Sequence, residues 1–308
     1  MHLYASAVGL SELNTRSTIN TLLKNITEDA IQNNNVLYDI ASSPQDSFYE
    51  AQIYHSMLKR QTEPDFEDMG GIVIMGYYNP DEKIFERTSY FPYIKGTSPR
   101  YTAEAVVERK SDQEAYLVHC DEPRREVTPI FFLKNIIEYI SNNKNQRIVK
   151  DKFVYLSALS TSGKIILPIR QSKAQIDKCK AATKKRNRLV DMAMQGNIEA
   201  IDNLTIGDYD VISDICQRIR KEDIYSIVNT SFIPSGLECD KYTVVGNIID
   251  LECLTNEVTG EEIYYMQLEC NDTIMNLGIN RKDLYGMPQK GYRFVGKIWL
   301  QGNMNFSE

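Results

Sequence analysis

Six runs rich in β-branched and aromatic residues, at 36–40, 48–54, 71–78, 84–93, 101–108 and 115–119, follow one another with little but turns between them. This succession constrains the fold more than any other feature of the chain. Strands joined by short turns pair antiparallel, because a parallel pair needs a crossover of about a dozen residues or more. The punctuation between the runs is turn chemistry, as in Asn79-Pro80-Asp81-Glu82 and Lys95-Gly96-Thr97-Ser98-Pro99.

Helical signals flank the strands. Residues 3–8 read as a short strand, after which Ile19, Leu22, Leu23, Ile26 and Ala30 fall on one face of a helix with Thr15 or Ser17 as its cap. Thr128-Pro129 reads as a cap and a first-turn proline, opening a helix that carries Ile130, Leu133, Ile136, Ile137 and Ile140. A hairpin is expected next, 153–159 with 165–169, turning through Ser160-Thr161-Ser162-Gly163. Residues 1–170 therefore read as an α+β domain with an antiparallel sheet and packed helices. From 171 to 237 the pattern is a helical middle segment: a long helix over 172–194 stopped by Gly196, a short one over 198–204, another over 209–220 and a last piece over 222–228. Residues 238–308 return to strands at 242–252, 263–270, 273–279 and 292–300, with a helical turn near 281–285. They suit a small C-terminal β barrel or sheet, the oligonucleotide/oligosaccharide-binding (OB-like) type being one option. No internal repeat shows in the sequence.

Hydrophobic residues make up 42% and charged residues 25% of the 308 residues, so a packed core is expected and disorder is not. No apolar run is long enough to cross a bilayer as a helix. The opening residues lack a basic stretch followed by an apolar one. The six cysteines (Cys120, Cys179, Cys216, Cys239, Cys253, Cys270) include no CxxC pair, which fits reduced thiols in a cytoplasmic setting. The net charge is −7, but residues 164–188 hold nine basic residues against Asp177 alone, leaving −15 on the rest.

Within that basic segment Lys180, Lys184 and Arg188 recur every four residues on one helix face, with Lys173 one heptad before Lys180 and Lys185 beside Lys184. Such a stripe can follow a run of phosphates, so these five are the candidate anion- or nucleic-acid-binding residues. A solvated or internally paired face and an acidic protein partner are the competing readings. Other patterns carry less. Ser162-Gly163-Lys164 has Ala158 and Ile165 where a phosphate loop needs Gly and Ser or Thr. Asp81 with Glu108 and Lys110 matches the loose pattern of a metal-dependent nuclease, yet Asp81 already has a turn to make. His119-Cys120-Asp121 would alternate between strand faces, and His2 and His55 stand alone without zinc-type spacing. Tyr77, Tyr78, Tyr90 and Tyr93 are expected half-buried on a sheet, where a sugar- or peptide-binding surface is the functional option.

The residues thus offer no catalytic set, no metal site and no cofactor site, and lean against an enzyme. They point to a non-enzymatic cytoplasmic binding or scaffold protein without membrane association, its partner a protein or a nucleic acid. The alternatives are nucleic-acid binding through 173–188 with the C-terminal β domain and, more weakly, a metal-dependent nuclease.

Four stretches together resemble a known family. They are residues 1–10; Gly76-Tyr77-Tyr78 with Tyr90-Phe91-Pro92-Tyr93; Tyr155-Leu156-Ser157-Ala158-Leu159-Ser160 continuing to Ile165; and Asp214-Ile215-Cys216-Gln217-Arg218-Ile219 running on to Glu238-Cys239-Asp240. They are similar to an uncharacterised family from clostridia and related Firmicutes, a domain of unknown function, over nearly the whole chain. The resemblance implies a bacterial, cytoplasmic origin and supplies neither an activity nor site residues.

Overall fold

A computed structural model describes residues 2–13, 15–39, 47–60, 68–109, 115–121, 128–143, 148–169, 173–219 and 223–306. After a 3-10 turn at Ala5–Val8 come α1 (Arg16–Gln32), β1 (Leu37–Tyr38), β2 (Tyr49–Ser56), β3 (Leu58–Arg60), β4 (Gly70–Asn79) and β5 (Ile84–Ile94). Then follow β6 (Pro99–Arg109), β7 (Tyr116–Asp121), β8 (Ile130–Leu133), α2 (Ile136–Asn143), β9 (Ile148–Ser160) and β10 (Gly163–Ile166). The helices α3 (Lys173–Met194), α4 (Ile198–Ile219) and α5 (Ile224–Ile227) separate these from β11 (Ser231–Pro234), β12 (Lys241–Asn256), β13 (Glu262–Cys270) and β14 (Thr273–Asn280). A second 3-10 turn at Arg281–Asp283, β15 (Leu284–Tyr285) and β16 (Arg293–Met304) complete the described chain.

The α+β class is as expected. One sheet is the antiparallel set β1-β2-β4-β5, covered by α1 through Ile19, Leu23, Ile26 and Ala30, with Thr15 accepting from the Thr18 amide as the cap. The other sheet is larger and mixed, and takes strands from both sides of the helical segment.

Around β9 and β16 the pairing of the large sheet closes on itself twice. β12, β13 and β14 form an antiparallel meander; β14 pairs in parallel with β9, β9 antiparallel with β16, and β16 antiparallel with β12. β6, β7 and β8 form a second meander; β8 pairs in parallel with β16, and β9 antiparallel with β6. Two five-stranded rings therefore share the β9–β16 pair, and the strand that closes each ring belongs to the other half of the chain. A shift of 144 residues relates them: it carries Phe132 to Asn276 and Ser157 to Gln301, the residues matched in the two parallel ladders. The same shift lays Val154-Tyr155-Leu156-Ser157-Ala158 on Ile298-Trp299-Leu300-Gln301-Gly302. It also places α2 and the 3-10 turn at Arg281–Asp283 between corresponding strands. The repeat that the sequence did not show is thus present in the strand pairing. The strands of 238–308 do not close alone, since β9 bridges β14 and β16.

Four local expectations are corrected. Residues 5–8 form a 3-10 turn and no strand, closed by Gly9 at φ 82°, whose amide donates to Ala5 O. Residues 130–133 are a strand and not the start of a helix; an unbroken apolar run satisfies both spacings, and the helix begins at Ile136. The two helices expected over 198–220 are one, running through Gly207 at a cost of about 1 kcal/mol relative to alanine. β9 and β10 make no hairpin with each other. Both lie along one edge of β16, Ala158 opposite Leu300 and Gly163 opposite Gly296, so the Ser-rich segment is a jog between them. The Ser160 hydroxyl fixes it by donating to Lys297 O at 2.8 Å.

One side chain holds the root of the helical segment. Buried Arg293 donates to Leu167 O (3.0 Å from Nε), Tyr225 O (2.7 Å) and Val228 O (3.0 Å), carbonyls that lie before α3 and within or just after α5. Beyond this root α3 and α4 pack on each other, and α4 on α5.

Candidate functional site

Ile298 and Leu300 on β16 are fully buried, so Trp299 between them points to the other side of the strand. There it gathers the rings of His2 (5.0 Å between centroids), Phe132 (5.2 Å), Tyr4 (5.3 Å) and Phe91 (6.4 Å). Tyr90 completes the aromatic wall of a cleft of about 460 Å³. The wall is assembled from β16, β8, β5 and the residues before the first 3-10 turn, segments that only the fold brings together.

The polar edge comes from the approach to β12. Asp240 is buried and accepts from Trp299 Nε1 at 2.8 Å. The Lys241 ammonium is paired with the Glu238 carboxylate and lies 5.8 Å from the centre of the Tyr4 ring. His2 donates its main-chain N–H to the Tyr90 hydroxyl at 2.9 Å, and its Nδ1 accepts from the Tyr4 amide at 3.3 Å. That acceptor role places the ring proton on Nε2. Burial, then the neighbouring Lys241 charge, pushes the His2 pKa down to about 4, so the ring is neutral near pH 7. Burial followed by the Asp240 and Glu238 charges pushes the Tyr4 hydroxyl up to about 12. Aromatic faces beside carboxylates suit a cation on an apolar body, each ring contact contributing roughly 0.5–2 kcal/mol.

The five basic candidates all lie on α3, as expected, and none lines the cleft. Lys184, Lys185 and Arg188 are exposed, while the side chains of Lys173 and Lys180 lie outside the described residues. Of the nuclease pattern, Asp81 sits in the β4–β5 turn with its amide bonded to Asn79 Oδ1 (3.0 Å), Glu108 lies on β6 of the other sheet, and Lys110 lies outside the described residues. Among the described residues no three His, Cys, Asp or Glu side chains come together as a metal site. His119 is exposed and Cys120 buried, so they face opposite ways. His2, set aside as isolated, is the residue that sequence reasoning missed. The single tryptophan beside a buried strand was its best available signal.

A family model described as "Domain of unknown function, E. rectale Gene description (DUF3881)" matches residues 6–302. The chain belongs to this family. The DUF3881 match spans both rings, the helical segment and the whole cleft except the residues before position 6. It bears out the resemblance seen in the sequence, as a family whose description carries no activity. No curated protein and no solved structure matches the chain. Among the described residues no helix is long and apolar enough to cross a membrane.

Proposed function

We propose that this DUF3881 member is a non-enzymatic binding protein that takes an organic cation, an ammonium on an apolar body, in the aromatic cleft. The cation already in the cleft supports this: Lys241 lies against Tyr4 with Glu238 as its counter-ion, and Asp240 stands beside it. A ligand ammonium in the same place would meet one aromatic face and the Glu238 carboxylate, with the Asp240 carboxylate also lining the cleft. We also read each strand ring as an OB-type barrel, a scaffold suited to ligand binding on its outer surface.

Trp299 is the only tryptophan, so its fluorescence reports the cleft directly. Titration with benzyltrimethylammonium is expected to give a saturable change, and the neutral analogue benzyl alcohol is not. Asp240→Asn keeps an acceptor for Trp299 Nε1 and is expected to weaken the cation about tenfold, the loss of one charge-assisted contact. Lys241→Ala removes the resident competitor and is expected to strengthen it. Equal response to the neutral ring or to a sugar, or no saturable response, would sink the proposal.

Nucleic-acid binding is the second reading, favoured by the exposure of Lys184, Lys185 and Arg188. It has a cost, because α4 beside them carries five acidic residues and one basic. Fluorescence anisotropy with labelled single-stranded RNA and DNA across a salt series tests it. Salt-steep binding that disappears when Lys180, Lys184, Lys185 and Arg188 become alanine would establish it; no binding at low salt would remove it.

A further inference from the structure

Helix α4 is apolar on two sides. Ala200 is buried and Leu204 half-buried on one side, whereas Ile198, Ile201 and Tyr209 are 74%, 47% and 70% exposed. The exposed three fall at spacings of three and eight, which is one stripe along a helix. Ile206 on the same helix and Met194 at the end of α3 are exposed too. Apolar side chains left in water along one face mark a surface that another element covers.

The charges say what covers it. α3 carries seven basic and two acidic residues, and α4 carries five acidic and one basic. The hairpin is therefore basic on one helix and acidic on the other. Such a distribution of charge between two helices is complementary to itself when a copy is turned by a two-fold axis, so that each α3 meets the other copy's α4. A nucleic acid would instead meet the acids of α4 beside the bases of α3. The dimensions also fit. Each helix has 22 residues, about 33 Å, and the two are joined by a tight turn with Gly196 at φ 83°. A two-helix hairpin has little core of its own, and pairing two of them is the common way such hairpins complete one. The Arg293 contacts at the base hold the hairpin by its root, leaving its length available.

We propose that α3 and α4 are half of a four-helix bundle, completed by the same two helices of a second copy of this chain. The Ile198–Ile201–Tyr209 stripe forms the new core, and α3-to-α4 charge pairing between copies sets the register.

Sedimentation velocity of the full chain over a concentration series tests this. The wild type is expected to pass from monomer to a species of twice the mass as concentration rises. Ile201→Glu with Tyr209→Glu adds like charge to exposed positions of an acidic helix; it is expected to weaken association at least tenfold, with circular dichroism and Trp299 fluorescence unchanged. Lys184→Glu with Lys185→Glu and Arg188→Glu is expected to weaken it at low salt and less so at high salt. A wild type that stays monomeric throughout overturns the proposal. So does a dimer of unchanged affinity in the Ile201→Glu/Tyr209→Glu variant, or an oligonucleotide complex of one chain that the α3 substitutions abolish.

Discussion

The wild-type protein is expected to gain stability between about pH 7 and 9, and Lys134→Met is expected to erase that gain. Lys134 is 2% exposed, and its ammonium donates to Ile94 O at 2.6 Å and Ser157 Oγ at 2.9 Å, with the Tyr93 ring centre 5.9 Å away. Burial pushes its pKa from 10.5 down to about 7, with the Asp68 carboxylate pulling it partly back. A folded value below the unfolded one means that the unfolded chain holds more protons between the two, so unfolding free energy rises with pH across that window. The slope for one proton is at most about 1.4 kcal/mol per pH unit, hence about 2 kcal/mol over the interval. Below pH 7 both states carry the charge and the full cost of burying it remains. Above its ordinary value of 9.0 Cys270 acts in the opposite sense, because burial pushes its folded pKa up to about 12 and the unfolded thiol loses its proton first. Tyr54 and Tyr93, raised by burial, add a loss above 10.0. Urea midpoints at pH 7, 8 and 9 check the expectation; parallel profiles for wild type and Lys134→Met would refute the role given to this lysine.

The second large effect lies where the two rings meet. A Cβ on Gly302 would sit 2.5 Å from Cε2 of Phe131, a ring with no exposed surface and little room to yield. Gly302→Ala is therefore expected to destabilise the protein by about 3 kcal/mol through overpacking. The 144-residue relation offers the remedy: it carries Phe131 to Met275 and Ala158 to Gly302, so one ring has Phe and Gly where the other has Met and Ala. Phe131→Met alone is expected to cost about 1–2 kcal/mol by loss of packing. The double variant imports the other ring's pair and should recover about 0.5–3 kcal/mol relative to the sum of the single losses, the range of coupling between touching residues. Strictly additive losses in a double-mutant cycle would show that the two positions do not share one packing volume.

Much of the architecture could be read from residues alone where the signal was local. The face of α1, the extent of α3 and the succession of strands all follow from periodicity over one element. The failures share a cause. Ile130-Phe131-Phe132-Leu133 is buried between partners on both sides, and such a run has no period to separate strand from helix. Ser160-Thr161-Ser162-Gly163 has turn composition, but pairing of both flanks with β16 keeps the chain running forward. The repeat left only a five-residue likeness because ring closure depends on burial and register, which many apolar sequences satisfy. The cleft was least visible of all. His2, Tyr90, Asp240 and Trp299 come from four distant places, and no spacing connects them until the rings and the smaller sheet have packed.

The borrowed strands also bear on how the chain comes to be folded during synthesis. Once residue 160 has left the ribosome, the first meander and β9 are present, but the partner for β8 arrives only with Gln301 and Gly302. Until then the edge of β8 and part of β9 stand unpaired, and exposed edges recruit wrong partners. Contacts of such sequence separation also form slowly. Premature termination anywhere before β16 would leave both rings open at once, so a truncated product is expected to be aggregation-prone along its whole length, with neither half spared. The same sharing ties the halves together in descent: a substitution in β9 or β16 is felt simultaneously in two rings, so these two strands are expected to diverge more slowly than the six that each serve only one.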